Sequence, residues 1–315
     1  MTHDAAEPPG ATPPAGPTPL RPRAVRPAPA VTTSHLLYDR VAEASAALVI
    51  KRYSTSFGVA SRLLAEPTRA HVRNIYALVR VADEIVDAPR PDGDRAQQAR
   101  LLDGLQAAVH EALATGHSAN LVVHAFARTA REAGIGADLV DPFFASMRMD
   151  LSRRVHDEES FAAYVYGSAE VVGLMCLRAF LLGRPHAEEE YADLREGAQR
   201  LGAAFQKVNF LRDLAADADD LGRSYFPGLT SADFDVATRD RLLDDIDADL
   251  AAAAVAVAKL PASSRRAVCA AHALFAELSR RLRRTPPARI RAERVRVPGP
   301  HKARVIARAL TRGVA

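Results

Sequence analysis

The chain has no tryptophan, two cysteines and four methionines, and aromatic residues make up 6% of its 315 positions. Two cysteines build no disulfide framework. Cys176 and Cys269 both fall in helical patterns, so reduced, buried thiols in a cytoplasmic chain are expected. No unbroken apolar run of about 18 residues occurs, and the longest apolar-rich stretch, 171–182, is interrupted by Gly173, Cys176 and Arg178. A transmembrane helix is therefore not expected. The first residues are Pro, Ala and Thr rather than an apolar signal core, so export is not expected either. Zinc-ligand spacings, a helix-turn-helix signal and aromatic–basic interleaving are all missing, and nucleic acid is not the expected partner. Alternating strand patterns are missing as well.

What is present is helical periodicity. The chain is 48% hydrophobic, enough for one large core. Residues 1–33 are rich in proline and too poor in apolar side chains to fold, and they read as a disordered tail. Residues 34–298 read as a single helical domain. Helices are expected over 36–51, over 57–64 after the break Tyr53-Ser54-Thr55-Ser56, and from Thr68 to a stop before Pro89. Others fit 95–114, 119–133, 137–154, 160–183 (capped by Ser160), 187–219, 235–258 and 262–284, with 221–234 as a loop. The class is all-α. Residues 299–315 are basic and read either as an interfacial amphipathic helix or as a loose cationic tail.

Two helices carry the chemistry. Gln206, Asn209, Asp213 and Asp217 are spaced 3, 4 and 4 apart, which places them on one stripe. Tyr76, Arg80, Asp83 and Asp87, spaced 4, 3 and 4, form a second stripe. Carboxylates at i and i+4 repel unless a cation stands between them. Two such pairs across a cleft offer hard oxygen donors with no sulfur or imidazole, which suits Mg²⁺ or Mn²⁺. Arg80, Arg212 and Arg223 are placed to hold a phosphate beside the metal. Asp245 and Asp249 have the same spacing but no Arg or amide in register, and they read as a solvated helix face. His110, His117, His124 and His272 have no partner at ligand spacing and read as surface or satisfied histidines.

With these stripes on the page, the sequence resembles the squalene/phytoene synthase family. The resemblance rests on Tyr76-Ala-Leu-Val-Arg80-Val-Ala-Asp83-Glu-Ile-Val-Asp87, on Gln206-x-x-Asn209-x-x-Arg212-Asp213-x-x-x-Asp217, and on Arg223-Ser-Tyr225-Phe-Pro227. It runs from about Tyr38 to Val297 and is strongest toward bacterial phytoene synthases. It implies an isoprenoid synthase helical bundle with a central apolar channel. It also implies a prenyltransferase that condenses two geranylgeranyl diphosphates head to head to phytoene, through a cyclopropyl diphosphate, in carotenoid biosynthesis. By the same resemblance Asp83, Asp87, Asn209, Asp213 and Asp217 would bind Mg²⁺. Tyr53, Ser54, Ser56, Tyr76, Arg80, Gln206, Arg212, Tyr225 and Arg294 would surround the diphosphates. Phe57, Tyr164, Ser168, Glu170, Gly173 and Phe275 would line the channel, with core packing equally open for Tyr164 and Ser168.

Departures from the family pattern have consequences. Glu84 replaces an Asp and falls off the acidic stripe, Phe275 replaces a Tyr, and Glu170 places a carboxyl in the channel helix. Tyr53 stands where family members commonly carry His. NADPH is not expected, because phytoene formation ends in proton loss. The alternatives are a farnesyl diphosphate-using squalene, dehydrosqualene or presqualene diphosphate synthase, and a non-catalytic helical assembly protein. Expected partners are prenyl diphosphates, with a peripheral membrane contact and downstream carotenoid enzymes left open.

Overall fold

The computed structural model describes residues 33–54, 56–87, 93–214, 223–229 and 233–312; the Pro-rich segment read from the sequence as disordered lies outside them, except for Thr33. Within them the chain forms α1 (Thr33–Tyr53), α2 (Ser56–Ser61), α3 (Thr68–Asp87), α4 (Arg95–Thr115), α5 (Leu121–Ala133) and α6 (Ala137–Ser152). Then come α7 (Glu158–Val165), a π-helical turn (Tyr166–Glu170) and α8 (Val171–Leu181), which run on as one helix, and α9 (Ala187–Arg212). The remainder is α10 (Val236–Lys259), α11 (Ala262–Arg284), the short α12 (Pro287–Ile290) and α13 (Gly299–Arg312). No strand occurs among the described residues. A lone bridge ties Val155 to Ser224.

Local chemistry sets the boundaries. Asp94 caps α4 by accepting the Gln97 N–H, and Asn120 caps α5 by accepting from Val122 and Val123. The helix expected to start at Ser160 starts at Glu158 instead. Asp157 is the cap, and Ser160 answers it from the third helical position in a reciprocal capping box. The helix expected to reach 219 is regular only to Arg212, although the Asp213 N–H still bonds the Asn209 carbonyl at 2.9 Å.

The α7–α8 helix is central. By length and composition, Glu158–Leu181 is apolar enough to cross a membrane, with a window of mean hydropathy 1.4, and it is the one such helix among the described residues. In the fold it packs against α3, α6 and α9, so its apolar character serves the bundle interior. Small residues let α8 and α9 close together. A Cβ on Gly173 would lie 2.6 Å from the Ala198 carbonyl oxygen, and one on Gly202 would lie 2.5 Å from that of Ala169. At the C-terminus, α13 packs on α11, burying Ala309, and His301 meets Glu277 at 2.8 Å.

Candidate active site

The first wall is the C-terminal half of α3. Asp83 and Asp87 stand one turn apart, with Arg80 one turn below Asp83. Burial, and next the Asp87 charge, push the Asp83 carboxyl up to about 7. Arg80 lies over the Tyr53 ring, 4.6 Å from its centroid, and donates to Glu84. Glu84 is thus the anchor of Arg80 rather than an idle replacement. The Arg80 Nε is buried with no partner among the described residues. Tyr76 bonds Ser54 through its hydroxyl, and burial raises its phenol. The Ser54 Oγ also accepts the Gly58 N–H. Tyr53 itself is exposed. The side chains of Ser56 and Phe57 lie outside the described residues.

The second wall is the end of α9. Gln206 and Asn209 face the large apolar cavity. Asp213 accepts a two-pronged ion pair from Arg212, with Nε at 2.9 Å, and a second from Arg294, with Nε at 2.7 Å. Arg212 and Arg294 are therefore held at the acidic end of the stripe. Asp217 lies outside the described residues.

Between the walls is a buried cross-link that the sequence reading missed. Asp150, on α6, accepts the Tyr164 hydroxyl at 2.8 Å and the Tyr225 hydroxyl at 3.0 Å, with Arg223 Nη1 at 3.5 Å. Arg223 Nη1 reaches on to Asp87 at 2.6 Å, while Nη2 donates to the backbone carbonyls of Val86 and Asp150. Arg223 is buried, with both of its Nη atoms engaged. It welds the Asp87 end of α3 to α6, a different task from the phosphate contact expected of it. Burial, more than its partners can offset, pushes the Asp150 carboxyl up to about 6. A sequence signal for Asp150 existed. Val140, Phe143, Phe144 and Met147 mark the buried stripe of α6, and Asp150 continues it at the next helical step.

A long apolar cavity opens below Gln206 and Asn209. Its wall includes Ser61 from α2, Ile75 and Tyr76 from α3, and Ser168, Gly173, Cys176 and Phe180 from the π turn and α8. Opposite stand α9 from Asn209 down to Leu194, Leu260, and Val268 and Phe275 of α11. Phe275 stacks on Phe205 at 3.8 Å, so the ring that replaces a tyrosine is spent on an aromatic contact. The Ser168 Oγ is buried there without a partner among the described residues. Burial pushes the Cys176 thiol up to about 12, which keeps it protonated.

Two expected channel residues lie elsewhere. Tyr164 turns away from the cavity into an aromatic cluster with Phe210, Tyr225 and His156, where Asp150 holds its hydroxyl. Glu170 faces away from Ser168, because two positions along the π turn are about half a turn apart. There it accepts a hydrogen bond from Gln199 at 2.9 Å. It lines a second, charged pocket with Lys207, Asp245 and Asp249. The structure corrects the reading of Asp249 as part of a solvated face, whereas Asp245 is exposed as expected. Asp249 is 3% exposed and is bound by Lys207 at 2.8 Å and Arg200 at 3.1 Å. The basic partners come from α9, which spacing within α10 could not reveal. Of the histidines, His124 pairs with Asp39, His110 with Asp141, and His272 with the Leu250 carbonyl.

The donor set can be tested against a hard cation. Among the described residues, no group of three or more His, Cys, Asp and Glu is gathered as a metal site. The α3 wall nevertheless fits a divalent ion. Asp83 and Asp87 repel each other, Asp83 is half-buried without enough positive charge to ionise readily, and the donors are all oxygen. The α9 wall fits only once Asp213 is released from Arg212 and Arg294.

An all-helical bundle with an apolar cavity capped by acidic and basic side chains defines an isoprenoid synthase fold, and comparison narrows it. The squalene/phytoene synthase family profile matches residues 50–301, and the chain belongs to that family. It is 29% identical over 259 residues to a 15-cis-phytoene synthase of Paracoccus sp., covering 76% of this chain and 81% of that one. It is 28% identical to the 4,4'-diapophytoene synthase of Staphylococcus haemolyticus, over 62% of this chain and 66% of the relative. It is 29% identical to the presqualene diphosphate synthase of Rhodopseudomonas palustris, over 64% and 71%. Among solved structures, a dehydrosqualene synthase superposes with a TM-score of 0.72 at 19% identity, covering 88% of this chain and 98% of that one. That last likeness bears on the fold alone.

Proposed function

We propose that this chain is a prenyltransferase of the phytoene synthase type, joining two geranylgeranyl diphosphates head to head. The observation that carries the C20 reading is the length of the cavity. Its lining on α9 runs from Asn209 to Leu194, about 22 Å at 1.5 Å per residue. An extended C20 tail advancing about 1.25 Å per carbon–carbon bond is about 19 Å long, whereas a C15 tail is about 14 Å.

In this reading the diphosphates sit at the polar end, between α3 and α9. Asp83, Asp87, Asn209, Asp213 and Asp217 would hold Mg²⁺, which when bound offsets the charge of the leaving diphosphate. Arg80, whose Nε has no partner among the described residues, and Arg212 and Arg294 would donate to diphosphate oxygens. Taking those two arginines would free Asp213. Gln206, Tyr76, Tyr53, Ser54 and Ser56 orient the head groups. Asp150 and Arg223 keep Asp87 in place, and Tyr225 closes the polar floor. The apolar wall from Val79 to Val268 keeps water from the allylic cation and aligns the second double bond. The cyclopropyl diphosphate formed first ionises in the same site, and loss of a proton then gives phytoene without a reductant.

The C15 reading draws support from the diapophytoene and presqualene diphosphate synthases among the relatives. Purified protein is incubated with labelled geranylgeranyl or farnesyl diphosphate and Mg²⁺, with and without NADPH. A C40 hydrocarbon formed independently of NADPH is the expected product. A C30 product formed in preference, or formation of no condensed product, refutes the proposal.

A further inference from the structure

Helix α1 is apolar on two opposite faces. One face, Ala42, Ala46 and Ile50, is buried, with the two alanines packed beside Ala77 and Ala125. The other carries Leu37, Val41, Ala44 and Leu48 at i, i+4, i+7 and i+11, and Leu36 adjoins it. Nothing covers that second face among the described residues: Leu37 is 56% exposed, Leu48 53%, Leu36 50% and Val41 44%. Most of the other large exposed apolar residues are scattered singly, as on any surface, whereas this stripe is contiguous.

Its surroundings are basic. Arg40, Lys51, Arg52 and Arg62 are exposed, and none has a carboxylate partner among the described residues. The two acids of α1, Asp39 and Glu43, are tied up by Arg128. An apolar stripe flanked by unpaired cations is the chemistry of a helix that lies in the surface of an anionic bilayer. A second copy of this chain is a poor match, since a two-fold contact would bring like charges together. The segment before α1, with three arginines against one Asp and one Glu, is not its complement either.

We infer that the outer face of α1, with its flanking arginines and lysine, docks the protein on anionic membrane, stripe inward. The placement also suits the cavity. The short helix α2 follows α1 directly; its Ala60 and Ser61 line the cavity, while Val59, one residue earlier, is 42% exposed. Docking through α1 sets this thin wall against the lipid phase, where prenyl tails and a hydrocarbon product dissolve. That last step rests on the prenyl-substrate reading; the docking face does not. Helix α13, the other basic candidate, spends its apolar side on α11.

Flotation of the full chain with vesicles tests this. The wild type binds phosphatidylcholine–phosphatidylglycerol vesicles, binds phosphatidylcholine alone more weakly, and is released by salt. Replacing Leu37, Val41 and Leu48 together by Gln lowers binding at least about tenfold. The same triple variant keeps the wild-type melting temperature and its turnover of detergent-dispersed substrate. Replacing Arg304 and Arg308 of α13 by Gln leaves binding unchanged. A wild type that does not float, or a triple variant that floats equally well, overturns the inference. So does a concentration-dependent dimer that the triple variant abolishes in place of vesicle binding. Flotation needs no turnover: an inactive chain that floats upholds the docking face, and an active chain that fails to float overturns it without touching the catalytic proposal.

Discussion

Arg223 and Asp87, 136 positions apart in sequence, meet at 2.6 Å, and the arginine is the more buried partner. That contact, extended to Asp150, fixes the end of the acidic wall on α3. Asp150→Asn keeps the side-chain shape but leaves the buried guanidinium short of negative charge. A loss of about 3 kcal/mol is expected in urea denaturation at neutral pH. A loss below about 1 kcal/mol would show that Arg223 is satisfied by Asp87 and the carbonyls alone.

The Asp83 carboxyl is raised to about 7, chiefly by burial. In the unfolded chain it ionises near 3.8. Its protonated form therefore contributes stability that is fully present below that value and is lost as pH rises through about 7. A bound divalent cation removes the penalty. The melting-temperature gain from Mg²⁺ should be larger at pH 8 than at pH 5.5, and Asp83→Asn should abolish the difference. An equal gain at both pH values would detach Asp83 from the metal.

Asp213→Asn removes the charge shared by Arg212 and Arg294 while keeping an oxygen at the same place. Turnover should drop by orders of magnitude, with the circular dichroism spectrum unchanged. Near-normal turnover would remove Asp213 from the metal-binding set and leave it as an anchor for the two arginines.

Val268 lies far down the cavity, in the cluster that holds Leu194 and Leu260. Val268→Phe fills that end at a strain cost of about 1–3 kcal/mol. Offered both substrates, the variant should shift from C40 toward C30 hydrocarbon relative to the wild type. An unchanged product ratio, with the protein folded, would mean that the tails do not reach this depth.

How much was legible beforehand differs by residue. The stripes Tyr76–Asp87 and Gln206–Asp213 were visible because helical spacing alone puts their members on one face; α3 formed where the pattern put it, while α9 is regular only to Arg212. Asp150 was overlooked because a single carboxylate on a buried stripe has no spacing partner; Tyr164, Arg223 and Tyr225 come to it from other segments. Arg223 looked like a free phosphate ligand because its acceptors are 73 and 136 or more residues distant.

The sequence by itself determined the all-helical class, the two acidic stripes and the family, since these depend on periodicity and on residue types at short range. Tertiary structure alone decided which charges are already neutralised. It buried Asp249 under α9 lysine and arginine, turned Glu170 to a charged pocket instead of the channel, and seated α13 on α11 while leaving the outer face of α1 uncovered among the described residues. The reason is physical. Spacing fixes which side of a helix a residue occupies, but burial and pairing depend on what the rest of the chain places against that side.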